Sequence, residues 1–269
     1  MTGKTLAERT ALVTGSVQGI GLAIARALAA EGARMAIHGH ATPEQVAAVE
    51  ADLRACGAPE TIFLEADLLD VAAIETMMAR AAEWGPIDIL VNNAGIQRTA
   101  PLADATAAVW NEILAVNLSA AFHTMRLGMP GMGARGFGRV INIASVHGLV
   151  ASRDKSPYVA SKFGLVGLSK VAALEYAASG SRETGGVTVN CICPGWTETA
   201  IIGPQVEARA ATHGGDHDAG IASLLSEKQP SLRMSDPSEI GALALWLCQK
   251  PAHNLTGTAI PVDGGWTAQ

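Results

Sequence analysis

The 269-residue sequence contains no run of basic residues, few cysteines and no long apolar stretch, and each absence excludes a class of protein. Its formal net charge of −6, without a Lys- or Arg-rich segment, argues against a surface that binds nucleic-acid phosphates. No stretch approaches the roughly 18 consecutive apolar residues of a membrane helix, and the opening MTGKTLAERT lacks the apolar core of a signal peptide. We therefore expect a cytoplasmic protein that binds neither nucleic acid nor membrane.

The four cysteines and seven histidines do not form a motif typical of a disulfide framework or a metal site. Cys191 and Cys193 share one face of a predicted buried strand, and no further ligand motif accompanies them. His213 and His217 have helical spacing, but the glycines between them favour a solvated loop. We expect core positions for the two cysteines and no bound metal.

What the sequence does contain is an alternation of short apolar runs with amphipathic stretches of helical length. Such alternation predicts parallel βαβ units with right-handed crossovers, and hence an α/β fold. We predict a single domain over residues 1–269, a Rossmann-like, doubly wound parallel sheet of about seven strands with helices on both faces. The irregular stretch at about 196–230 ends in a helical pattern, IASLLSEKQ, and predicts a helical substrate lid.

A glycine-rich turn, TGSVQGIG at residues 14–21, joins the first predicted strand to the first helix. Gly15, Gly19 and Gly21 let the backbone turn tightly and approach a ligand closely, and the start of the helix favours a pyrophosphate. The spacing GxxxGxG differs from the GxGxxG of the two-half dinucleotide-binding fold. In its strand–turn–helix context, the turn predicts a dinucleotide site.

Further strand ends lie at the same edge of the sheet, where open α/β sheets bind their ligands. Asp67 closes the third predicted strand and is placed to hydrogen-bond an adenine amine, since Asp70 is the better cap for the next helix. The fourth and sixth strands end at Asn93, Ala94, Gly95, Pro194 and Gly195. We also assign to the cofactor site Ser16, Gln18, Ile20, Leu68, Tyr158, Lys162 and Thr199.

The choice between NAD and NADP depends on the end of the second strand, where an acidic residue binds ribose hydroxyls and a basic one a 2′-phosphate. His38, Gly39 and His40 stand there, and the glycine-rich turn contains no basic residue. Two neutral histidines match a dianionic phosphate poorly, so we expect NAD. A protonated pair would reverse that preference, and NADP stays open at this point.

The segment SPYVASKFGL predicts a helix with Ser156 as its cap and Pro157 in its first turn. Tyr158 and Lys162, four residues apart, then share one face of the helix. A cation about 4 Å from a phenol, at an effective dielectric of about 20, contributes roughly 4 kcal/mol, or about three pKa units. We expect Lys162 to lower the pKa of Tyr158 into the range of a general acid–base.

Two more polar residues accompany this pair. Ser145 closes the fifth predicted strand and is placed to donate to a carbonyl oxygen. Asn117 lies in the apolar stripe of a long predicted helix from Thr106 to Leu127, and a buried amide needs partners. A water between Asn117 and Lys162 would give a proton a route to solvent, and the alternative is a structural hydrogen bond across a helix interface.

Four long polar side chains on different predicted loops are placed to converge beside the tyrosine: Gln97, His147, Lys155 and Gln205. Convergent donors of this kind suit a carboxylate, and Trp196 is placed to close the apolar side of the pocket. The alternative for each of the four is a solvated loop residue.

The set TGSVQGIG, NNAG, Asn117, Ser145, YVASK and PGWTET resembles the short-chain dehydrogenase/reductase family over nearly the whole chain. The resemblance implies that Asn117, Ser145, Tyr158 and Lys162 form a tetrad that transfers a hydride to or from nicotinamide. The segments NNAGIQ, SVHGLVAS, CPGW, SEKQPS and DGGWTAQ are further similar to the bacterial D-3-hydroxybutyrate dehydrogenases.

That closer resemblance implies an NAD-dependent homotetramer that interconverts (R)-3-hydroxybutyrate and acetoacetate. It implies that the four donors bind the substrate carboxylate and that Trp196 and Trp266 line or close the pocket. The segment HGHA departs from the resemblance, because an aromatic residue between glycines is usual there. The alternatives are another small hydroxy acid, a sugar or polyol, a 3-oxoacyl thioester reduced with NADPH, or a non-catalytic dinucleotide-sensing scaffold.

Overall fold

The computed structural model describes residues 3–268, which contain a seven-stranded sheet in the order β3-β2-β1-β4-β5-β6-β7. Every neighbouring pair of strands is parallel. The strands are β1 Thr10–Val13, β2 Arg34–Ile37, β3 Thr61–Phe63, β4 Ile89–Asn92, β5 Phe137–Ile143, β6 Gly186–Pro194 and β7 Ala259–Val262. The strand order reverses between β1 and β4, which opens a crevice at their carboxyl ends. The predicted fold class, a doubly wound parallel sheet, is confirmed.

Helices cover both faces of the sheet. They are α1 Gly19–Ala30, α2 Pro43–Cys56, α3 Val71–Trp84, α4 Ala107–Leu114, α5 Ala120–Arg135, α6 Ser156–Tyr176, α7 Gly203–Ala211, α8 His217–Lys228 and α9 Pro237–Cys248. Because side chains alternate along a strand, Ala11 and Val13 of β1 pack with α1, α2 and α9, whereas Leu12 packs with α3, α5 and α6. Within residues 3–268, no helix has both the length and the apolar character needed to cross a bilayer.

Local sequence signals set the starts of several helices. The side chain of Asp70 accepts the Ala72 N–H and caps α3, as expected. The predicted cap at Ser156 is wrong, because α6 already begins at Ser156 and Lys155 takes the cap position. Among residues 3–268, the buried Ser156 hydroxyl has no hydrogen-bond partner. The helix therefore starts one residue earlier than predicted, which puts Lys155 directly before the first turn of α6.

The long predicted helix from Thr106 to Leu127 is interrupted. Thr106 caps α4, a π-helical turn spans Ala115–Ser119, and α5 continues to Arg135. The π turn contains Asn117, which is 2% exposed. A single wide turn leaves the helical pattern on either side intact, so hydrophobic periodicity does not reveal it.

The third strand is shorter than predicted. β3 ends at Phe63, so Asp67 lies in the following loop and not at a strand end. The strand pairs only with β2, through three residues at the edge of the sheet, and the chain then leaves the ladder. Asp67 still reaches the carboxyl edge, where its Oδ1 accepts the Leu69 N–H at 2.9 Å.

The segment after β6 that leaves the sheet is helical, as predicted, but the chain comes back to the sheet region only after residue 230. Thr197 and Ser235 pair in a single parallel bridge, and α7 and α8 lie between them, in the segment we call the lid. His213 is exposed in the turn after α7, while His217 is the first residue of α8, so the predicted loop covers only the start of HGGDHD. Cys191 and Cys193 are buried on β6 against α6, which confirms their core positions.

Candidate active site

A cavity of about 490 Å³ lies at the carboxyl edge of the sheet. Most residues predicted to hold the cofactor line it: Gly15, Gln18, Gly19, Ile20, Asp67, Leu68, Asn93, Ala94, Gly95, Tyr158, Lys162, Pro194, Gly195 and Thr199. Ser16 and Gly21 do not line it. Ser16 is fully buried, and its hydroxyl accepts the His38 N–H at 3.1 Å, so both residues shape the turn from behind.

The glycine-rich turn is held in a conformation that only glycine allows at two points. Gly15 has a φ of 63°, and a Cβ at Gly21 would lie 2.2 Å from the Gly15 carbonyl oxygen. The Asn93 amide donates to the Thr14 and Gly15 carbonyls at 3.0 Å and 2.9 Å. Asn93 therefore stabilises the turn, which leaves the start of α1 open to a ligand.

His38, at the end of β2, is not free to bind either the ribose hydroxyls of NAD or the 2′-phosphate of NADP. It is 2% exposed, its Nδ1 accepts the Gly15 N–H at 3.2 Å, and its Nε2 lies 3.1 Å from the Ala66 carbonyl oxygen. Burial lowers its pKa, so the imidazole is neutral. His40 is exposed at the cavity wall. Within residues 3–268, the only Lys or Arg side chains lining the cavity are Lys155 and Lys162, at its opposite end.

Tyr158 and Ser145 meet at that opposite end. Burial raises the pKa of the Tyr158 phenol above its ordinary value, and the hydrogen bond with Ser145 opposes the shift. Lys162 Nζ donates to the Ile143 carbonyl at 2.8 Å and lies 5.6 Å from the centroid of the Tyr158 ring. Burial also lowers the pKa of Lys162 to about 8. The expected lowering of the Tyr158 pKa is therefore wrong for this arrangement, because desolvation outweighs a cation that is engaged elsewhere.

The Asn117 amide is fully engaged with the chain. Its Oδ1 accepts the Ile96 N–H at 2.8 Å, and its Nδ2 donates to the Ile96 carbonyl at 2.9 Å and to Ser161 Oγ at 3.2 Å. The structural alternative considered for Asn117 is thus what the structure shows. A Cβ at Gly95 would lie 3.4 Å from Asn117 Oδ1 and 3.6 Å from Lys162 Nζ. The two polar atoms flank one gap, and the proton route through a water stays a prediction.

His147 and Lys155 form a buried pair beside Tyr158. Lys155 Nζ lies 3.4 Å from His147 Nε2, and His147 Nδ1 lies 3.3 Å from the Val150 carbonyl oxygen. The neutral ring therefore carries its proton on Nδ1 and accepts from the ammonium at Nε2. Burial and the neighbouring Lys155 lower the pKa of His147 to about 4. His147 was expected to donate to an anion, and in this structure it instead positions Lys155.

Two tryptophans close the apolar side of this end. The Trp196 and Trp266 ring centroids are 5.6 Å apart, and the Trp266 ring stands perpendicular to that of His147 at 5.4 Å. Lys155 Nζ lies 5.1 Å from the Trp196 ring centroid. Leu224 and Leu225 of α8 pack on the tryptophans, so the lid covers this wall.

Gln97 and Gln205 meet across the entrance. Gln97 lines the cavity, whereas Gln205 lies in the first turn of α7 and does not line it. With the Gln205 amide turned to satisfy its neighbours, its oxygen accepts from Gln97 Nε2 at 2.5 Å and its nitrogen donates to the Ile202 carbonyl at 2.9 Å. Three of the predicted substrate donors, Gln97, His147 and Lys155, thus line the cavity, whereas Gln205 contacts Gln97 and does not line it.

Sequence reasoning missed two supporting contacts. Gln229 is 1% exposed, and its Oε1 accepts the Trp196 N–H at 3.0 Å, which ties the base of the lid to the pocket wall. Arg98 pairs with Glu112 at 2.8 Å and fixes the loop that carries Gln97. Only the place of Gln229 before Pro230, at the end of the lid pattern, could have indicated such a role.

Comparison with known proteins identifies the family. The sequence model described as short chain dehydrogenase matches residues 9–210. The chain belongs to this family. It is 47% identical to the D-beta-hydroxybutyrate dehydrogenase of Cupriavidus necator, over 97% of this chain and 98% of that protein. It is 43% identical to the protein of the same name in Rhizobium meliloti, over 97% and 99%.

Solved structures show the same fold. The crystal structure of a 3-oxoacyl (acyl-carrier-protein) reductase from Agrobacterium tumefaciens C58, with NADP bound, has a TM-score of 0.87 at 32% identity, over 98% of this chain and 96% of that chain. Members of the family use NAD or NADP. The glycine turn fits the pyrophosphate of such a dinucleotide, because Gly15 and Gly19 line the cavity where α1 begins and carry no side chain that would obstruct a phosphate. This protein is therefore an NAD(P)-dependent oxidoreductase that acts on a CH–OH group.

Proposed function

We propose that this short-chain dehydrogenase uses NAD to oxidise (R)-3-hydroxybutyrate to acetoacetate and catalyses the reverse reaction. The observation that carries the proposal is the position of Lys155. This residue is 8% exposed, and it lines the cavity at the Tyr158 end. Within residues 3–268, no carboxylate forms an ion pair with it. Glu227 attracts the Lys155 ammonium without forming an ion pair, and because a buried cation is costly, a substrate carboxylate would supply the direct counter-ion.

Other groups at this end also favour an acceptor-rich substrate. The Trp196 Nε1 N–H is buried without a partner in the part of the chain that the structure describes. The Gln97 amide lines the same end. Together with Lys155 these donors suit the two oxygens of a carboxylate. The tryptophan wall under the lid leaves room for a short aliphatic chain between the carboxylate and Tyr158.

The reaction then follows from the placement of Ser145 and Tyr158. Both side chains hold the carbinol oxygen of the bound acid. The phenolate form of Tyr158, which becomes more populated toward alkaline pH because burial raises the pKa of the phenol, accepts the carbinol proton. The residues of the glycine turn would hold the dinucleotide, whose nicotinamide would supply the hydride acceptor for the oxidation of the carbinol carbon to the ketone carbon of acetoacetate. In the reverse direction the protonated Tyr158 donates to the ketone oxygen. The chain contributes orientation, proton transfer and a fixed positive charge at the carboxylate.

We propose NAD as the cofactor, because a 2′-phosphate of NADP would meet no fixed cation at the adenosine end of the cavity. Both nitrogens of His38 are engaged with backbone groups, and the remaining histidine there, His40, is exposed. No Lys or Arg within residues 3–268 lines that end. A dianionic phosphate would therefore be desolvated without compensation.

We also propose that the protein is a cytoplasmic homotetramer, as the resemblance to the hydroxybutyrate dehydrogenases implies. Phe122 of α5 and Phe163 and Leu174 of α6 are 46%, 44% and 80% exposed, an apolar surface that further copies would cover. Sedimentation equilibrium should give four chains per particle. A monomer at micromolar concentration would contradict this proposal.

The proposed function is tested by comparing substrates that differ only in the anion. We expect NADH formation from (R)-3-hydroxybutyrate and a kcat/KM at least roughly tenfold lower with its methyl ester, which lacks the charge-assisted contact. Reduction of acetoacetyl thioesters with NADPH serves as the control reaction for the rival activity. A preference for the thioester or the ester over the acid would refute the proposal.

A further inference from the structure

His38 lies where three segments of the dinucleotide site meet. Its ring connects the glycine-rich turn, through the Gly15 N–H at 3.2 Å, to the loop after β3, through the Ala66 carbonyl at 3.1 Å. The His38 backbone N–H donates to the Ser16 hydroxyl at 3.1 Å, and the His38 carbonyl accepts the Ser16 backbone N–H at 2.8 Å. The residue is 2% exposed, so water does not replace these bonds.

The two ring contacts require one particular state of the imidazole. Nδ1 must present a lone pair, because the Gly15 N–H can only donate, and Nε2 must carry the proton, because the Ala66 carbonyl can only accept. A second proton on the ring would set an N–H at Nδ1 against the N–H of Gly15. The strut between the two segments therefore exists only while His38 is neutral.

Both connected segments contribute to the cofactor site. Gly15 opens the turn that fits the pyrophosphate, and Asp67 and Leu68, directly after Ala66, line the adenosine end of the cavity. Loss of the strut would release the turn and this loop together. His38 lines the cavity, but both of its ring nitrogens are engaged with backbone atoms, so the ring offers the cofactor no hydrogen-bonding group and acts on it through these two segments.

The surroundings do not stabilise a charged ring. The glycine-rich turn contains no titratable residue, and the loop after β3 contributes Glu65 and Asp67, both exposed. On its own segment, the neighbouring His40 further disfavours a charge. Burial dominates and lowers the pKa of His38 below its ordinary 6.5, so the ring stays neutral at physiological pH and gains its second proton only in acid.

We propose that His38 is a positioning residue of the dinucleotide site, a neutral strut between the phosphate turn and the adenosine loop whose protonation in acid weakens cofactor binding. The inference rests on the binding of a nicotinamide dinucleotide in this cavity and is independent of which hydroxy acid is oxidised. It sets His38 apart from a direct ligand of the ribose or of a 2′-phosphate.

Two substitutions of His38 each remove one of its two ring contacts and keep the other. In His38→Asn the amide oxygen can replace Nδ1 and keep the Gly15 bond, while the reach to Ala66 is lost. In His38→Gln the amide nitrogen can replace Nε2 and keep the Ala66 bond, while Gly15 loses its acceptor. Neither side chain titrates. His123→Asn on α5, which does not line the cavity, controls for the loss of a histidine elsewhere, and His40→Asn tests the neighbouring histidine.

The measurement is calorimetric binding of ADP-ribose, which has the adenosine and pyrophosphate but no nicotinamide, between about pH 5 and pH 8. We expect the wild-type Kd to rise progressively toward the acid end, and the Kd of His123→Asn to rise in parallel. In His40→Asn the rise should persist but begin at a higher pH, because His40 disfavours a charge on His38. In both His38 variants the Kd should be independent of pH. At neutral pH, His38→Gln should bind roughly tenfold more weakly than His38→Asn, because it alone leaves the Gly15 N–H without an acceptor.

A readout without any ligand checks the state of the ring. Nitrogen NMR of histidine-labelled protein at neutral pH should show His38 with a protonated Nε2 and an unprotonated Nδ1. If the rise of the ADP-ribose Kd in acid persists in both His38 variants, or disappears in His40→Asn, the inference is overturned and the proposed function is left intact. Wild-type protein that binds neither ADP-ribose nor NADH at neutral pH would instead refute dinucleotide binding, and the inference with it.

Discussion

Replacement of Lys155 by methionine removes the charge at the substrate end and keeps most of the side chain's length. Methionine keeps an unbranched apolar side chain but lacks the ammonium, whose Nζ lies 5.1 Å from the Trp196 ring centroid. A hydrogen bond to a charged group contributes about 1.5–3 kcal/mol, which corresponds to a roughly 10- to 150-fold change in an equilibrium constant. We therefore expect KM for (R)-3-hydroxybutyrate to rise by that factor in Lys155→Met.

The effect should fall on KM and not on kcat. The carboxylate carries the same charge in the bound acid and in the transition state, so Lys155 binds both equally. The stability of the free protein should change little, because the variant removes a charge whose burial lowers its pKa but also loses the contact with His147 and the attraction of Glu227. Thermal unfolding should give a Tm within a few degrees of that of the wild type.

Steady-state kinetics with the acid and with its methyl ester provide the assay. The variant and the wild type should oxidise the neutral ester with similar kcat/KM, because the ester makes no ion pair. Lys170→Met is the matched control, since it removes an exposed lysine from α6, the helix that begins directly after Lys155. A Lys155→Met enzyme with an unchanged KM for the acid, or an equal loss on acid and ester, would refute the reasoning.

Four further outcomes are expected. Tyr158→Phe should lower kcat by about 10²–10⁴-fold or more while NADH binding, measured by fluorescence, stays within about threefold. Because burial raises the pKa of Tyr158, kcat/KM for oxidation should increase with pH from neutral into the alkaline range, whereas that for acetoacetate reduction should not, as pH profiles will show. Gly21→Ala should abolish NADH binding or folding, since its Cβ would lie 2.2 Å from the Gly15 carbonyl oxygen. The ratio of kcat/KM with NAD to kcat/KM with NADP should exceed roughly 10², because binding NADP would desolvate a 2′-phosphate that has no cationic partner.

The parts of the site that the sequence predicts correctly depend on short segments. The glycine turn around Gly15, the Tyr158–Lys162 pair and the capping by Asp70 each use residues within one turn of backbone. Alternating apolar runs likewise predict the sheet, because a strand buried on both faces needs them. Local spacing is enough in these cases since the contacts are local.

The errors concern quantities that depend on residues distant in sequence. The pKa of Tyr158 is raised because helices and strands bury it, and no spacing along α6 reports that burial. The acceptors and donors of His38 come from the turn after β1 and the loop after β3, so its neutral role is visible only in the folded chain. His147 likewise has the residue type of an anion donor, but its contacts with Val150 and Lys155 make it an acceptor.

Stereospecific turnover tests the central claim most directly. Purified protein should form NADH from (R)-3-hydroxybutyrate with NAD, at rates far above those with the S acid or with NADP. Such a result would support the docking of a carboxylate on Lys155 beside Tyr158. Equal rates with the two enantiomers, or no NADH from either acid while another alcohol is oxidised, would contradict it.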